Sequence, residues 1–194
     1  MTWPTPPGWT WTPIGELVDA TRTQVRADAI DDDCLYVGLE HVEPRAGLYR
    51  GVRAGSAGLR SVKLRFARGD LLFGKLRPNL RKCVVAEDDG VCSTDLVPLR
   101  PLDPDAAHLL ALQLRSEPFI AEVVRRIGGA NLPRVSVPDL LTLQLPVPPA
   151  GDRDRLHELA RTATTTRQAA RELTRRVEDV DRAAALSVLG LSPE

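Results

Sequence analysis

Along residues 1–150 short apolar runs alternate with Gly, Pro and Asp clusters, whereas residues 152–189 contain neither Gly nor Pro. The first region predicts strands at 34–42 (CLYVGLEHV), 61–67, 70–75, 82–86 and 91–99, each a short β-branched or aliphatic run closed by turn residues. EDDG at 87–90 reads as a hairpin turn between the last two. Two helices follow at 104–116 and 118–129, with Pro118 suited to a first turn and Gly128 to a stop. LQLPVPPAG (143–151) then reads as a Pro-rich boundary. Strands first and helices afterwards predict an α+β fold rather than a regular βαβ array. The expected division is a domain at 1–149 and a helical element at 150–194.

The second region predicts one helix about 57 Å long at about 1.5 Å per residue. Asp152 and Asp154 suit its positive N-terminal end, and Gly190 a stop. Stepping by three and four from Leu156 gives Leu159, Ala163, Thr166, Ala170, Leu173, Val177, Val180, Ala184 and Ser187. That is a heptad seam, apolar at its ends and small in the middle. Arg and Glu fill most other faces, so the helix needs a partner along one narrow stripe. It could lie along its own domain. A helix this long outruns a domain of about 150 residues, which favours a coiled coil, with a second chain as the expected partner.

With 194 residues, 43% hydrophobic and 27% charged, the chain can bury a core and is not disordered throughout. No apolar run reaches the roughly 18–20 residues of a membrane helix. The opening MTWPTPPGWTW has no basic residue and no apolar stretch, so no secretory leader is expected and a cytoplasmic location is. Cys34, Cys83 and Cys92 form an odd set without CxxC spacing, which fits reduced thiols in a core better than a disulfide scaffold. His41, His108 and His157 have no partner at metal-ligand spacing, so no metal is expected.

The motifs that resemble catalysis fail on inspection. GDLLFGKL (69–76) matches a phosphate-binding loop except at Leu76, where the Mg²⁺-holding hydroxyl belongs. Its apolar interior reads as a buried strand, and Pro78 obstructs the helix that should follow. An acidic-x-Lys nuclease motif is absent, because Ser61, Phe73 and Leu80 precede Lys63, Lys75 and Lys82 at that distance. Neither Pro6-Pro7 nor Pro148-Pro149 stands in an amino-methyltransferase context, and no GxSxG elbow is present. The chain reads as non-catalytic, with no cofactor.

Charge alters the picture more than composition does. The formal net charge is zero, yet residues 44–82 hold eleven basic side chains against one acid, Asp70. Segregation of that degree attracts a polyanion through counterion release, and arginine suits phosphates and guanine edges. An acidic protein partner, or pairing with the acidic remainder of the chain, would also satisfy it. The candidate contacts are Lys63, Arg65, Lys75, Arg77, Asn79, Arg81 and Lys82 around Pro78, whose ring stiffens the turn. Arg134, with Asn131, is a second cluster.

Four segments, in order, resemble the target recognition domains of type I restriction–modification specificity subunits: PGWTWTPIGEL (7–17), YVGLEHVEPRAG (36–47), GDLLFGKLRPNLRKCVVAEDDGVCSTDLVPLRP (69–101) and GGANLPRVSVPDLLTLQLPVPP (128–149). The third is the most specific. Pro13-Ile14 stands where Leu is usual before Gly-Glu, and AGDRDRL (150–156) lacks the usual Glu-Gln at the helix start. The resemblance implies a DNA-reading subunit without chemistry of its own, which places an adenine methyltransferase, and sometimes a restriction/translocase subunit, on a bipartite double-stranded DNA site. Typical members carry two recognition domains separated by long helices. One domain and one helix imply a half-subunit, expected to form a homodimer through Leu156, Leu159, Ala163, Ala170, Leu173, Val177, Val180 and Ala184. The alternative is an interaction protein that docks on the methyltransferase without reading sequence.

Overall fold

The computed structural model describes residues 5–127 and 133–188. In chain order the strands before the helices are β1 (Thr10–Pro13), β2 (Val18–Ala20), β3 (Gln24–Val25), β4 (Leu35–Val37), β5 (Val52–Arg53), β6 (Lys63–Phe66), β7 (Leu71–Gly74), β8 (Cys83–Val85), β9 (Gly90–Cys92) and β10 (Leu96–Pro101). Helices α1 (Ala107–Leu114), α2 (Glu117–Arg125) and α3 (Val137–Thr142) follow, then β11 (Gln144–Val147) and α4 (Ala150–Val188). The fold is α+β, as the order of runs predicts.

Two sheets stack under the helices. One runs β2-β10-β7-β8 and the other β3-β6-β9-β4-β5, while β1 and β11 form a separate antiparallel ribbon. Only β4 and β9, among the described strands, pair in parallel. β7 shows why its sequence is apolar without alternation. Leu71 and Phe73 face the helices, with Leu110, Leu114, Phe119 and Leu140 in the same cluster. Leu72, between them, faces the second sheet with Val84, Leu96, Phe66 and Val37. A strand buried on both faces reads as a continuous hydrophobic run. The Phe73 and Phe119 rings meet edge to face at 6.3 Å, joining sheet to helix.

The phosphate-loop look-alike is therefore a sheet centre. Its Asp70 is buried, accepts the Ala67 N–H at 2.9 Å and holds Arg100 through two hydrogen bonds of 3.0 and 3.2 Å. Helices α2 and α3 start where serines permit it, with Ser116 and Ser136 accepting the N–H groups of Phe119 and Asp139.

Two local expectations give way. The 87–90 turn joins no hairpin, because β8 pairs with β7 whereas β9 pairs with β4 and β6. It carries the chain from one sheet to the other. The 91–99 run is likewise two strands, β9 and β10, in different sheets. The Pro-rich boundary contains β11, whose four residues pair with β1.

Helix α4 lies along its own domain over part of its length and leaves most of its seam exposed. Near its start His157, Ala160 and Thr164 are buried against α1 and the 104–106 turn. Further along, Gln168 bonds Glu87, and Arg171 meets Glu43 at 3.1 Å. The seam lies elsewhere. At about 100° per residue, the stripe from Leu156 to Ala184 is turned roughly 140° from the docked stripe. Leu156 and Ala163, at its near end, are half-buried; Leu159, Ala170, Leu173, Val177, Val180 and Ala184 are exposed. No described helix is long and apolar enough to cross a membrane.

The cysteines are free thiols, Cys83 and Cys92 fully buried and Cys34 part-buried. Burial pushes the Cys83 and Cys92 thiols up to about 12, which leaves almost no thiolate near neutrality. A thiol reagent at about pH 8 is expected to label Cys34 alone in the native chain, and all three cysteines after unfolding. Rapid native labelling of Cys83 or Cys92, read by peptide mass, would contradict this packing.

Candidate nucleic-acid interface

One end of the two sheets gathers five of the candidate cations, Lys75, Arg77, Arg81, Lys82 and Arg134. Strands β4, β7 and β9 finish there, and β8 and β10 begin there, as their registers require. The chain leaves β7 through Lys75, Leu76 and Arg77, makes a 3-10 turn at Pro78–Leu80, and returns through Arg81 and Lys82 into β8. Arg77 and Arg81, on either side of the turn, have φ of 50° and 57°. Left-handed backbone is uncommon for non-glycine residues and persists only where surroundings enforce it.

The enforcing contacts are visible. The Arg77 N–H donates to the Pro133 carbonyl at 2.8 Å, and the Val135 N–H donates to the Lys75 carbonyl at 3.0 Å. A bridge between Leu76 and Arg134 completes this zipper. Within the turn the Leu80 and Arg81 N–H groups close onto the Arg77 and Pro78 carbonyls, and Pro78 is buried. The loop is thus clamped from both sides.

Side chains divide by what they touch. Arg77 and Asn79 are exposed, and neither side chain has a hydrogen-bond or ion-pair partner among the described residues. Lys75 and Lys82 are half-buried. Burial lowers both pKa values, with Arg134 pushing Lys75 the same way. The Lys82 ammonium donates to the Leu39 carbonyl at 2.7 Å. Arg134 is held by Asp95 at 2.5 Å. Arg81 donates through Nε to the Arg115 carbonyl at 2.7 Å and lies 3.8 Å from the Glu117 carboxylate.

Two candidates stand apart from this loop. Lys63 is only 5% exposed; its ammonium donates to the Ser61 carbonyl and hydroxyl, and lies 5.8 Å from the Tyr36 ring centre. Arg65 lies on the outer side of the second sheet, in a groove of about 930 Å³ shared with Arg53, Arg100, Asp33, Asp88 and Asp89 at the opposite sheet end. The basic stretch is therefore not one face. Strand alternation and the reversal between β6 and β7 send its charges to different places. Asn131 lies outside the described residues.

Sequence reasoning missed the residue that organises the near end. Asp95 accepts the Lys75 N–H on its carbonyl at 3.0 Å and Arg134 on its carboxylate. It ends the Cys-Ser-Thr-Asp run, so its signal lay within the 69–101 segment. Glu40 and His41 share this end; the His41 ring accepts the Gly38 N–H at 2.9 Å and meets Tyr36 edge to face. No group of His, Cys, Asp and Glu among the described residues could hold a metal ion. What the arrangement offers is a rigid cationic loop flanked by cations in reserve.

The fold of stacked short-strand sheets with a docked long helix is similar to that of solved type I restriction–modification specificity subunits. The chain is 25% identical over 158 residues to the type I restriction enzyme EcoDI specificity subunit of Escherichia coli, which covers 80% of this chain and 34% of that one. It superposes on the HsdS subunit of Thermoanaerobacter tengcongensis with a TM-score of 0.62 at 21% identity, over 94% of this chain and 46% of that one. The S subunit of M. genitalium gives 0.62 at 16% identity, over 90% and 43%. The resemblance read from the sequence holds, and the chain spans a third of the curated relative and about half of the solved subunits. No protein-family model matches it.

Proposed function

We propose that this chain acts as a specificity subunit, in which residues 1–149 read double-stranded DNA and the helix from 150 onward spaces and pairs two copies. It carries no chemistry of its own. It directs an adenine methyltransferase, and in some assemblies a restriction/translocase subunit, to a bipartite site, and it works in the cytoplasm. The carrying observation is the clamped 75–82 loop, whose two exposed members, Arg77 and Asn79, make no side-chain bond among the described residues. Arginine bidentate to guanine and asparagine bidentate to adenine are the pairings such groups make in a major groove. Lys75 and Lys82 supply phosphate contacts that fix the register.

Pairing follows from the open seam on α4. A two-fold dimer repeats one half-site on each strand, so the recognised sequence is palindromic with a spacer set by the helices. Mapping of DNA methylation in cells that hold the neighbouring methyltransferase, with and without this chain, is expected to lose one methylated motif when the chain is removed. An unchanged methylome would overturn the reading. Methyltransferase binding without any sequence preference would favour the interaction-protein alternative instead.

A further inference from the structure

Beneath the middle of α4 the domain holds a guanidinium with no carboxylate paired to it among the described residues. Arg115, which closes α1, is 5% exposed, and its Nη2 has neither solvent nor an acceptor. The 45–48 turn lies over it so closely that a Cβ on Gly47 would stand 2.7 Å from the Arg115 Cζ. Gly47 also has a φ of 70°, so the position requires glycine twice over. Arg167, from α4, brings a buried Nη1 that also lacks an acceptor. His108, two helical turns before Arg115 on α1, contributes an unpartnered Nδ1.

Among the described residues only the Cys83 thiol, which burial keeps protonated near neutrality, acts to offset this charge. Burial lowers the Arg115 pKa, and repulsion from Arg167 and Arg81 lowers it further, while no carboxylate acts in the other direction. Glu117 is occupied with Arg81. A buried charge is ordinarily paired or bound to an ion. An isolated one, facing a second cation across a helix–domain contact, opposes the docking seen here. The fork of an arginine fits the oxygens of a phosphate, and two such forks from two elements fit one such group.

We propose that Arg115 and Arg167 form an anion site that takes a phosphate group and fastens α4 to the domain. The phosphate comes either from a DNA backbone or from free inorganic phosphate. Arg81 lies on the loop that carries Arg77 and holds the Arg115 carbonyl, so the site adjoins the proposed reading loop. It does not depend on the DNA reading, and its main test uses no DNA.

The test compares melting of the full chain in about 20 mM inorganic phosphate with chloride at matched ionic strength and pH; millimolar affinity would raise the midpoint by about 4 °C. Arg115→Met and Arg167→Gln are each expected to lose this rise, and Arg171→Gln, on the same helix, to keep it. If Arg115→Met does not fold, Arg167→Gln decides. No rise beyond chloride, or a rise retained in the variants, overturns the site. A duplex-binding arm separates the sources. Phosphate that competes with DNA in the parent chain but not in Arg167→Gln identifies a backbone phosphate; a phosphate rise without competition identifies the free ion.

Discussion

Replacing Arg77 with alanine is expected to weaken duplex binding by about ten- to a hundredfold, the loss of one good arginine contact. The midpoint of thermal unfolding is expected to move by no more than about 2 °C. These two outcomes separate because the Arg77 main chain and side chain do different work. Its N–H is bonded to Pro133 at 2.8 Å and its backbone is held at a φ of 50°; alanine keeps both. Its guanidinium is exposed and makes no bond among the described residues, so removal costs the fold little. Arg81→Ala should lower binding and stability together, since Arg81 joins the loop to Arg115 and Glu117. Arg65→Ala, at the other sheet end, should change neither. Anisotropy titrations at several salt concentrations check this, and a fall of about one in the salt slope would place Arg77 on a phosphate rather than a base. An unaltered affinity and slope for Arg77→Ala would mean that DNA docks elsewhere.

The contrast between those three arginines marks how far the sequence could be read. Charge segregation was legible, but its destination was not, because strand alternation and sheet assignment decide which neighbours in sequence become neighbours in space. Lys63 and Arg65 belong to β6 in one sheet, Lys75 and Lys82 to the ends of β7 and β8 in the other. Burial on both faces made β7 unmistakable as an apolar run. The pairing of β9 was hidden, since its partners β4 and β6 lie tens of residues away and a local turn signal at 87–90 pointed to β8. Strands β1 and β11 were illegible for a related reason. Each is four residues long and contains proline, and they meet only because the chain closes on itself. The α+β class survived these local errors, because it rests on the order of element types and not on pairing.

The helix seam carries the other large effect. Leu173→Glu combined with Val177→Glu is expected to turn the proposed dimer into a monomer, raising the dimer dissociation constant at least a thousandfold, about 4 kcal/mol. Leu173 and Val177 are 64% and 53% exposed, on the side of α4 turned away from the domain. Burying such a side chain contributes about 1.5–3 kcal/mol. In a two-fold pair each substitution is felt twice, and four carboxylates then meet along one stripe. The helix itself should persist. Glutamate is a good helix former, and Glu172 keeps its ion pairs with Arg175 at 2.8 Å and Arg176 at 3.0 Å. Docking onto the domain runs through His157, Ala160 and Thr164 on the other stripe, so the fold of the monomer is untouched. Sedimentation at micromolar concentration, with circular dichroism on the same samples, reads both properties. Binding to a two-half-site duplex should fall with dimerisation, while binding to a single half-site should not. A parent chain that sediments as a monomer, or a variant that still dimerises, would remove the seam from the interface and return the pairing to some other surface.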